Sequence, residues 1–370
     1  MEYLIDLTKA LFIFNVVMGF MFILTWMERK QSALMQDRIG ANRADIFGLR
    51  LLGLFHPIAD AIKMLTKEDF IPPSGNRLLH TLAPMMALFF ALISFAVIPF
   101  GGIYQLGEYT ISLQLLDINV GILYVFAAMS MGIYGFVLAG WSSGNNYSLL
   151  GGLRASSQMI SYEITMGATI IGLLMVYGTL SLQEMNQAQG ELLWGWIPVW
   201  GIILQPLGFV LFATAAMMET KRVPFDIPEG ESEIIGYFVE YSGMKFGMFY
   251  STDFVETVLA AALITTLFFG GWQVPFLYSD SQLDHLGKEG PPGFHFPGDT
   301  VISLSEVSVM ALQVGAFLVK VFFFLFIMML IRWTLPRFRW DQLMRLGWTI
   351  MLPLSIANIL VTGLLMLWIG

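Results

Sequence analysis

Long apolar runs alternate with short polar connections along the whole chain, and the runs have the length that crosses a lipid bilayer. Stretches of about 20 mainly apolar residues cover the hydrocarbon core as helices. Eight are read here, at 10–27, 80–100, 119–140, 159–180, 197–218, 252–271, 307–331 and 347–369. The predicted fold class is all-α: a polytopic membrane protein of about eight transmembrane helices, with an amphipathic interfacial helix and structured cytoplasmic loops, forming one transmembrane domain over 1–370. The connection 28–79 contains "LFHPIADAIKML", where Leu54, Phe55, Ile58, Ala61, Ile62 and Leu65 recur at helical spacing and Asp60, Lys63 and Lys67 take another face. That pattern predicts an amphipathic helix over 54–67 at the inner interface. An acidic loop and helix is expected over 219–250, and an irregular outer loop over 272–305, where "GKEGPPGFHFPGD" is rich in Gly and Pro.

The basic residues orient these spans. Eight crossings return both termini to one side, and 16 of the 19 Lys and Arg residues fall in the first, third, fifth and seventh connections. Lys9 and Lys288 lie opposite, and Lys320 falls inside a span. Short cytoplasmic loops retain basic residues, so the termini are expected outside and the odd connections inside. The first apolar run lacks a small-residue cleavage site and leads into a charged loop, so the first helix is expected to remain.

Composition agrees with this pattern and narrows the chemistry. Hydrophobic residues make up 56% and charged residues 12%, against about a quarter charged in soluble proteins. A net charge of −8 gives no electrostatic reason to bind nucleic acid. With no cysteine there is no thiolate metal site and no iron–sulfur ligation of the usual kind. The four histidines, His56, His80, His285 and His295, lie in or beside connections rather than on facing helices, which speaks against haem. No phosphate-binding Gly-rich loop, hydrolytic constellation or inverted repeat is present, so any driving energy has to come from a partner or an ion gradient.

Against that low charge, "VPFDIPEGESEIIGYFVEY" (223–241) concentrates Asp226, Glu229, Glu231, Glu233 and Glu240. Asp226 and Glu229 fit a capping box, and the first three acids also suit a helix N-terminus. If that helix continued, Glu229, Glu233, Gly236 and Glu240 would form one stripe of mutually repelling carboxylates, as on a wetted surface or a proton-carrying channel. Glu163 lies about two turns into the fourth span, Glu219 ends the fifth, and Asp253 and Glu256 begin the sixth. Ionisable groups at such depth face a cavity or a partner, although Asp253 and Glu256 are also placed to reach the headgroups. Lys320, in "GAFLVKVFFF", needs a counter-charge or a water chain, and is read as a proton-exchanging group or one half of a structural pair.

Several inner segments carry a family resemblance. "ERKQSALMQDRIGANR" (28–43), "ADAIKMLTKE" (59–68), "GWSSGNNYSLLGGLRASSQMISYE" (140–163), "ETKRVPFDIPEGESE" (219–233), "VEYSG" (239–243) and "LPRFRWDQLMRLGW" (335–348) resemble the NADH dehydrogenase subunit 1 family, the H subunit of proton-pumping NADH:quinone oxidoreductase, respiratory complex I. The resemblance covers most of 20–360. It implies a multi-pass subunit of a bacterial inner membrane, as opposed to a mitochondrial one, without a redox centre of its own. Ubiquinone or menaquinone would be the substrate. FMN and iron–sulfur clusters would reside in partner subunits, and the chain would contact other membrane subunits and the peripheral iron–sulfur subunits.

On that resemblance the chain forms a quinone-access chamber and the first acid-lined part of a proton path. Glu163, Glu219, Glu229, Glu231, Glu233, Glu240, Asp253, Glu256 and Lys320 are assigned to the path. Arg38, Asp60, Asp226, Arg337, Arg339 and Asp341 are assigned to the chamber or to peripheral-subunit contact, with Arg337 and Arg339 otherwise readable as a basic topological anchor. The chain departs from the family pattern at Ala41 for the usual Pro, at Lys221 for the usual Asn, and at Thr252–Asp253–Phe254 for Ala-Glu-Tyr. Two readings stand beside complex I: a homologous anchor subunit of a membrane-bound hydrogenase, and an independent ion transporter.

Overall fold

The structure is a computed structural model that describes residues 2–106, 109–193, 196–230, 233–279, 291–296 and 300–369. Glu231, Lys288 and His285 lie outside these residues. The helices are α1 (Glu2–Met35), α2 (His56–Thr66), α3 (Arg77–Ile93), α4 (Gly121–Ser142), α5 (Asn146–Tyr177), α6 (Leu182–Gln189), α7 (Gly201–Leu204), α8 (Pro206–Glu219), α9 (Gly243–Phe268), α10 (Glu306–Thr334), α11 (Trp340–Arg345) and α12 (Leu352–Ile369). Among the described residues, seven segments are long and apolar enough to cross a membrane: Asp6–Met35, Arg77–Val97, Gly121–Ser142, Asn146–Tyr177, Gly243–Phe268, Glu306–Thr334 and Trp340–Trp368. The last of these joins α11 and α12 through a π-helical turn, Leu346–Met351.

The span expected over 197–218 is instead broken. Pro206 has no N–H to donate and crowds the preceding turn, so the chain splits at Gln205 into α7 and a 14-residue α8. At 1.5 Å per residue α8 covers roughly 21 Å, short of a full hydrocarbon core. Two other helices begin earlier than hydropathy suggests. Asn145 accepts a hydrogen bond from the Tyr147 N–H and caps α5 at 146, and α9 starts at Gly243. Glu163, Asp253 and Glu256 therefore sit well inside their helices.

The centre of the bundle is α9, whose residues from Thr252 to Phe268 are all buried. Around it pack α1, α2, α3, α8 and α10, with α4 and α5 against α3 and α8. Short antiparallel ribbons lie in the connections between α3 and α4, α6 and α7, and α9 and α10: β1 (Ile103–Leu106) with β2 (Tyr109–Ser112), β3 (Leu192–Leu193) with β4 (Ile197–Pro198), and a three-stranded sheet of β5 (Leu277–Tyr278), β6 (Gly293–Phe296) and β7 (Thr300–Ser303). Within the connection 272–305, Leu277–Tyr278, Gly293–Phe296 and Thr300–Ser303 are paired strand, and the other described residues are turn and coil.

The helix expected from Asp226 does not form. The described residues of 220–230 and 233–242 form turns and coil, and Ile235 and Gly236 take positive φ of 68° and 126°, which no right-handed helix accommodates. Tertiary contacts replace helical ones. Gln158 on α5 donates to the carbonyls of Met218 (2.7 Å) and Phe225 (2.9 Å), the Phe338 N–H donates to Pro224 O, and the Phe225 and Phe338 rings stack at 5.3 Å. Tyr237 is buried edge-on against Phe136 and Phe249.

Candidate functional site

Two adjoining cavities open between α1, α9, α10 and the loop after α8. The deeper one, about 220 Å³, is lined by Glu28, Arg222, Asp226, Glu229, Asp253 and Arg332, with Phe238, Phe246, Phe249 and Tyr250 as its aromatic wall. The outer one, about 370 Å³, shares Glu28 and Tyr250 and continues past Arg29, Ser32, Arg38, His56 and Trp333. Charged groups and flat rings line the deeper cavity together, which suits a planar polar ligand.

Ion pairs fix the charged groups in this lining. Glu28 receives Arg332 at 2.8 Å and Arg222 at 3.4 Å, and the Arg222 guanidinium also lies 3.7 Å from the centre of the Phe254 ring. Asp226 pairs with Arg337, and Asp60 on α2 with Arg29 on α1. Burial pushes the Asp226 carboxyl up to about 6, against the pull of Arg337. Burial, with Asp253 and Asp226 nearby, pushes Glu229 well above the ordinary carboxylate range, against Lys221 and Arg222.

Behind the deeper cavity lies a second group of acids. The Lys221 ammonium, shut off from solvent, stands 2.6 Å from Glu256 Oε2 and 3.4 Å from Asp253 Oδ1, and 3.8 Å from the centre of the Phe136 ring. Burial works against its charge, but Glu256, Asp253 and Glu219 outweigh that and hold it above the usual lysine value. Glu219 is buried, and neither carboxylate oxygen has a hydrogen-bond partner among the described residues. It lies within electrostatic reach of Glu163 and Glu256. The Ser130 hydroxyl is 3.0 and 2.9 Å from the two oxygens of Glu163.

The acidic set read from the sequence therefore divides. Asp226, Glu229 and Asp253 line the deeper cavity, while Glu163, Glu219 and Glu256 cluster behind it. Glu233 stands apart at the surface, half exposed and 2.6 Å from Arg154. Glu240 accepts from Asn145 at 2.9 Å beside a different surface recess with Phe70 and Tyr147. Because 226–230 and 233–240 are not helical, Glu229, Glu233 and Glu240 do not form the stripe that a continuing helix would give. Asp253 and Glu256, expected at a span end where they could reach the headgroups, are buried and share Lys221 instead.

Among the basic candidates, Arg38 lines the outer cavity, and Arg339 forms an exposed 3.2 Å pair with Asp341. Among the described residues Lys320 has no carboxylate partner, and it does not line the cavity with the acids. Its ammonium donates to the carbonyls of Phe269 (2.8 Å), Gly271 (3.0 Å) and Gln273 (2.7 Å), in the turn that follows α9. Sequence reasoning missed Glu28, Arg332, Tyr250 and Ser130 as site groups. Glu28 and Arg332 look like topological charges at span ends, and only their contact across α1 and α10 reveals them.

A model of the family described as NADH dehydrogenase matches residues 8–363. The chain is 44% identical over 340 residues to an NADH-quinone oxidoreductase H subunit of Cytophaga hutchinsonii, covering 92% of this chain and 90% of that one. It is 40% identical over 390 residues to the corresponding protein of Solibacter usitatus, covering 98% and 97%. It is 42% identical over 358 residues to that of Thermomicrobium roseum, covering 96% and 94%.

Proposed function

The chain belongs to the NADH dehydrogenase family, and on that premise we propose that it is the membrane subunit of a bacterial NADH–quinone oxidoreductase that admits the quinone and begins proton coupling. The observation that carries this reading is the deeper cavity, where Asp226, Glu229, Asp253, Glu28, Arg222 and Arg332 meet an aromatic wall beside the buried Glu163, Glu219 and Glu256. Its volume of about 220 Å³ suits a quinone ring, and the outer cavity provides the passage for the tail. The termini face outward and the basic connections inward, so the passage opens where peripheral subunits dock. FMN and iron–sulfur clusters belong to those partners, which deliver the electrons.

Reduction of a quinone adds two electrons and takes up two protons. The raised carboxyl at Glu229 holds a proton that an ordinary carboxyl would have lost, and so suits delivery to a reduced ring, while Asp226, paired with Arg337, is mostly ionised at neutral pH. The aromatic wall and the paired arginines orient the ring, and the buried acids behind sense the resulting change of charge. At an effective dielectric of ~20, two charges ~4 Å apart interact by ~4 kcal/mol, enough to move a proton between neighbouring carboxylates.

Filling the recess tests this directly in the assembled complex. Tyr250→Trp is expected to raise the KM for quinone several-fold, and a photoreactive quinone is expected to cross-link to 222–253. An unchanged KM together with labelling confined to other subunits would overturn the assignment.

A further inference from the structure

Lys221 has no role in the reading above, yet its placement is unusual in three respects. It is buried although it follows directly on the end of α8. Its φ is +53°, a left-handed conformation that non-glycine residues seldom adopt and that here turns its side chain inward while its neighbour Arg222 faces the cavity. And a single ammonium serves two carboxylates from adjacent turns of α9: Asp253, which lines the cavity, and Glu256, which does not.

We propose that Lys221 is a shared cation whose ammonium moves between Asp253 and Glu256, so that the charge state of the cavity is passed to the acids behind it. The proposal rests on the chamber reading and names the residue that carries its signal. One buried ammonium neutralises one carboxylate, and a second carboxylate at that depth is tolerated only when protonated or paired. Asp253 faces Glu229, Asp226 and Arg222 on the cavity side, and Glu256 faces Glu219 and Glu163 on the other. The Phe136 ring of α4 lies 3.8 Å from the ammonium and adds a cation–π attraction to it.

The proton steps balance. When Asp253 gives its proton to the reduced quinone, its O–H bond breaks as the quinone O–H bond forms, and the new anion draws the ammonium. Glu256 then lacks a counter-ion and takes a proton from the Glu219 and Glu163 side. Glu256 then passes that proton on, its O–H bond breaking as the Asp253 O–H bond re-forms, and the ammonium returns to the Glu256 anion, so the net transfer is one proton from the Glu219 and Glu163 side to the quinone. No electron passes through Lys221, so it is a positioning residue.

The test uses the assembled complex in native membranes, with NADH-dependent ferricyanide reduction, which needs only the peripheral subunits, as the control for assembly. Lys221→Met is expected to lower quinone reductase activity about tenfold or more, ~1.4 kcal/mol or above in the barrier, and to abolish the carboxyl infrared band that changes on quinone reduction. Lys221→Met/Glu256→Gln, a neutral pair, is expected to assemble and remain impaired. Recovery of full activity and full proton stoichiometry in that double variant would mark a static salt bridge and overturn the proposal, as would unimpaired Lys221→Met.

Lys221→Arg keeps the charge and decides the matter even if the neutral variants fail to assemble. A guanidinium fork bonds both carboxylates at once, so a static role tolerates it, whereas a moving cation predicts slowed turnover and a reduced number of protons per electron pair. Normal coupling in Lys221→Arg would overturn the proposal. The quinone KM of Tyr250→Trp reads the chamber separately, so failure of the relay is distinguishable from failure of the site.

Discussion

Ser130 on α4 centres its hydroxyl on the Glu163 carboxylate of α5, 3.0 Å from one oxygen and 2.9 Å from the other. No other hydrogen bond to that carboxylate is found among the described residues, so the charged form of Glu163 depends on one side chain of the neighbouring helix. Glu163→Gln preserves shape and removes the titrating group. It is expected to leave assembly intact and to depress quinone-linked proton translocation, measured by dye quenching in inverted vesicles. Ser130→Ala removes a hydrogen bond to a charged group, worth ~1.5–3 kcal/mol, and is expected to act in the same direction more mildly. Full turnover with full stoichiometry in Glu163→Gln would exclude Glu163 from the path.

Asp226 gives a pH signature. Burial raises its carboxyl from 3.8 to about 6, opposed by Arg337 and Arg332. A carboxyl raised on folding binds more protons in the folded state than in the unfolded one between those two values. Its contribution to stability is therefore greatest at low pH, declines as pH rises from 3.8 to about 6, and is level above. In function the same titration decides whether Arg337 has a charged partner. The KM for quinone is expected to change through an inflection near pH 6, and Asp226→Asn is expected to flatten it. A wild-type profile without that inflection would remove Asp226 from the lining that the quinone senses.

How much of this is legible in the sequence follows from the range of each signal. Apolar runs are local and long, so the spans are readable, except where Pro206 splits α7 from α8. Helix starts are not, because the cap at Asn145 and the start at Gly243 extend α5 and α9 beyond their most apolar stretches. Glu163, Asp253 and Glu256 consequently read as nearer the interface than they are. The capping-box pattern at Asp226 and Glu229 is overruled by contacts with Gln158, Phe338 and Phe136, residues distant in the chain. Lys221 is visible only as an oddity, since its meaning depends on Asp253 and Glu256, more than thirty residues away.

Lys320 illustrates the opposite outcome, a partly buried charge that ties down the turn after α9. The chain turns through left-handed Gly270 (φ 70°) and Gly271 (φ 52°), and the carbonyls of 269, 271 and 273 converge on the ammonium. Removing the ammonium leaves these carbonyls without their donor, at ~1–3 kcal/mol for an acceptor left unsatisfied. Lys320→Met is expected to lower the temperature of thermal inactivation while leaving the number of protons per electron pair unchanged in the complex that survives. Normal stability with reduced stoichiometry would return Lys320 to the proton path.

The seat of the acidic loop is tested by two glycines on one helix. Gly151 on α5 approaches the loop so closely that an added Cβ would lie 2.7 Å from the Tyr237 nitrogen and 2.9 Å from the Gly236 carbonyl carbon. Both are backbone atoms and cannot swing aside, and Tyr237 leans on Phe249, a wall of the deeper cavity. Gly151→Ala is expected to cost about 1–3 kcal/mol through this overlap and to raise the KM for quinone by displacing that wall. Gly167, sixteen residues along α5, has nothing within 4 Å of the same added atom. There alanine is expected to be neutral or to stabilise by up to about 1 kcal/mol, because it costs less backbone entropy in a helix. Thermal inactivation and quinone kinetics of the two variants, measured together, separate a general effect of filling α5 from pressure on the loop. If Gly151→Ala matched Gly167→Ala in both, the loop would not be held against α5 at Gly236 and Tyr237, and the cavity wall would have to be set by other contacts.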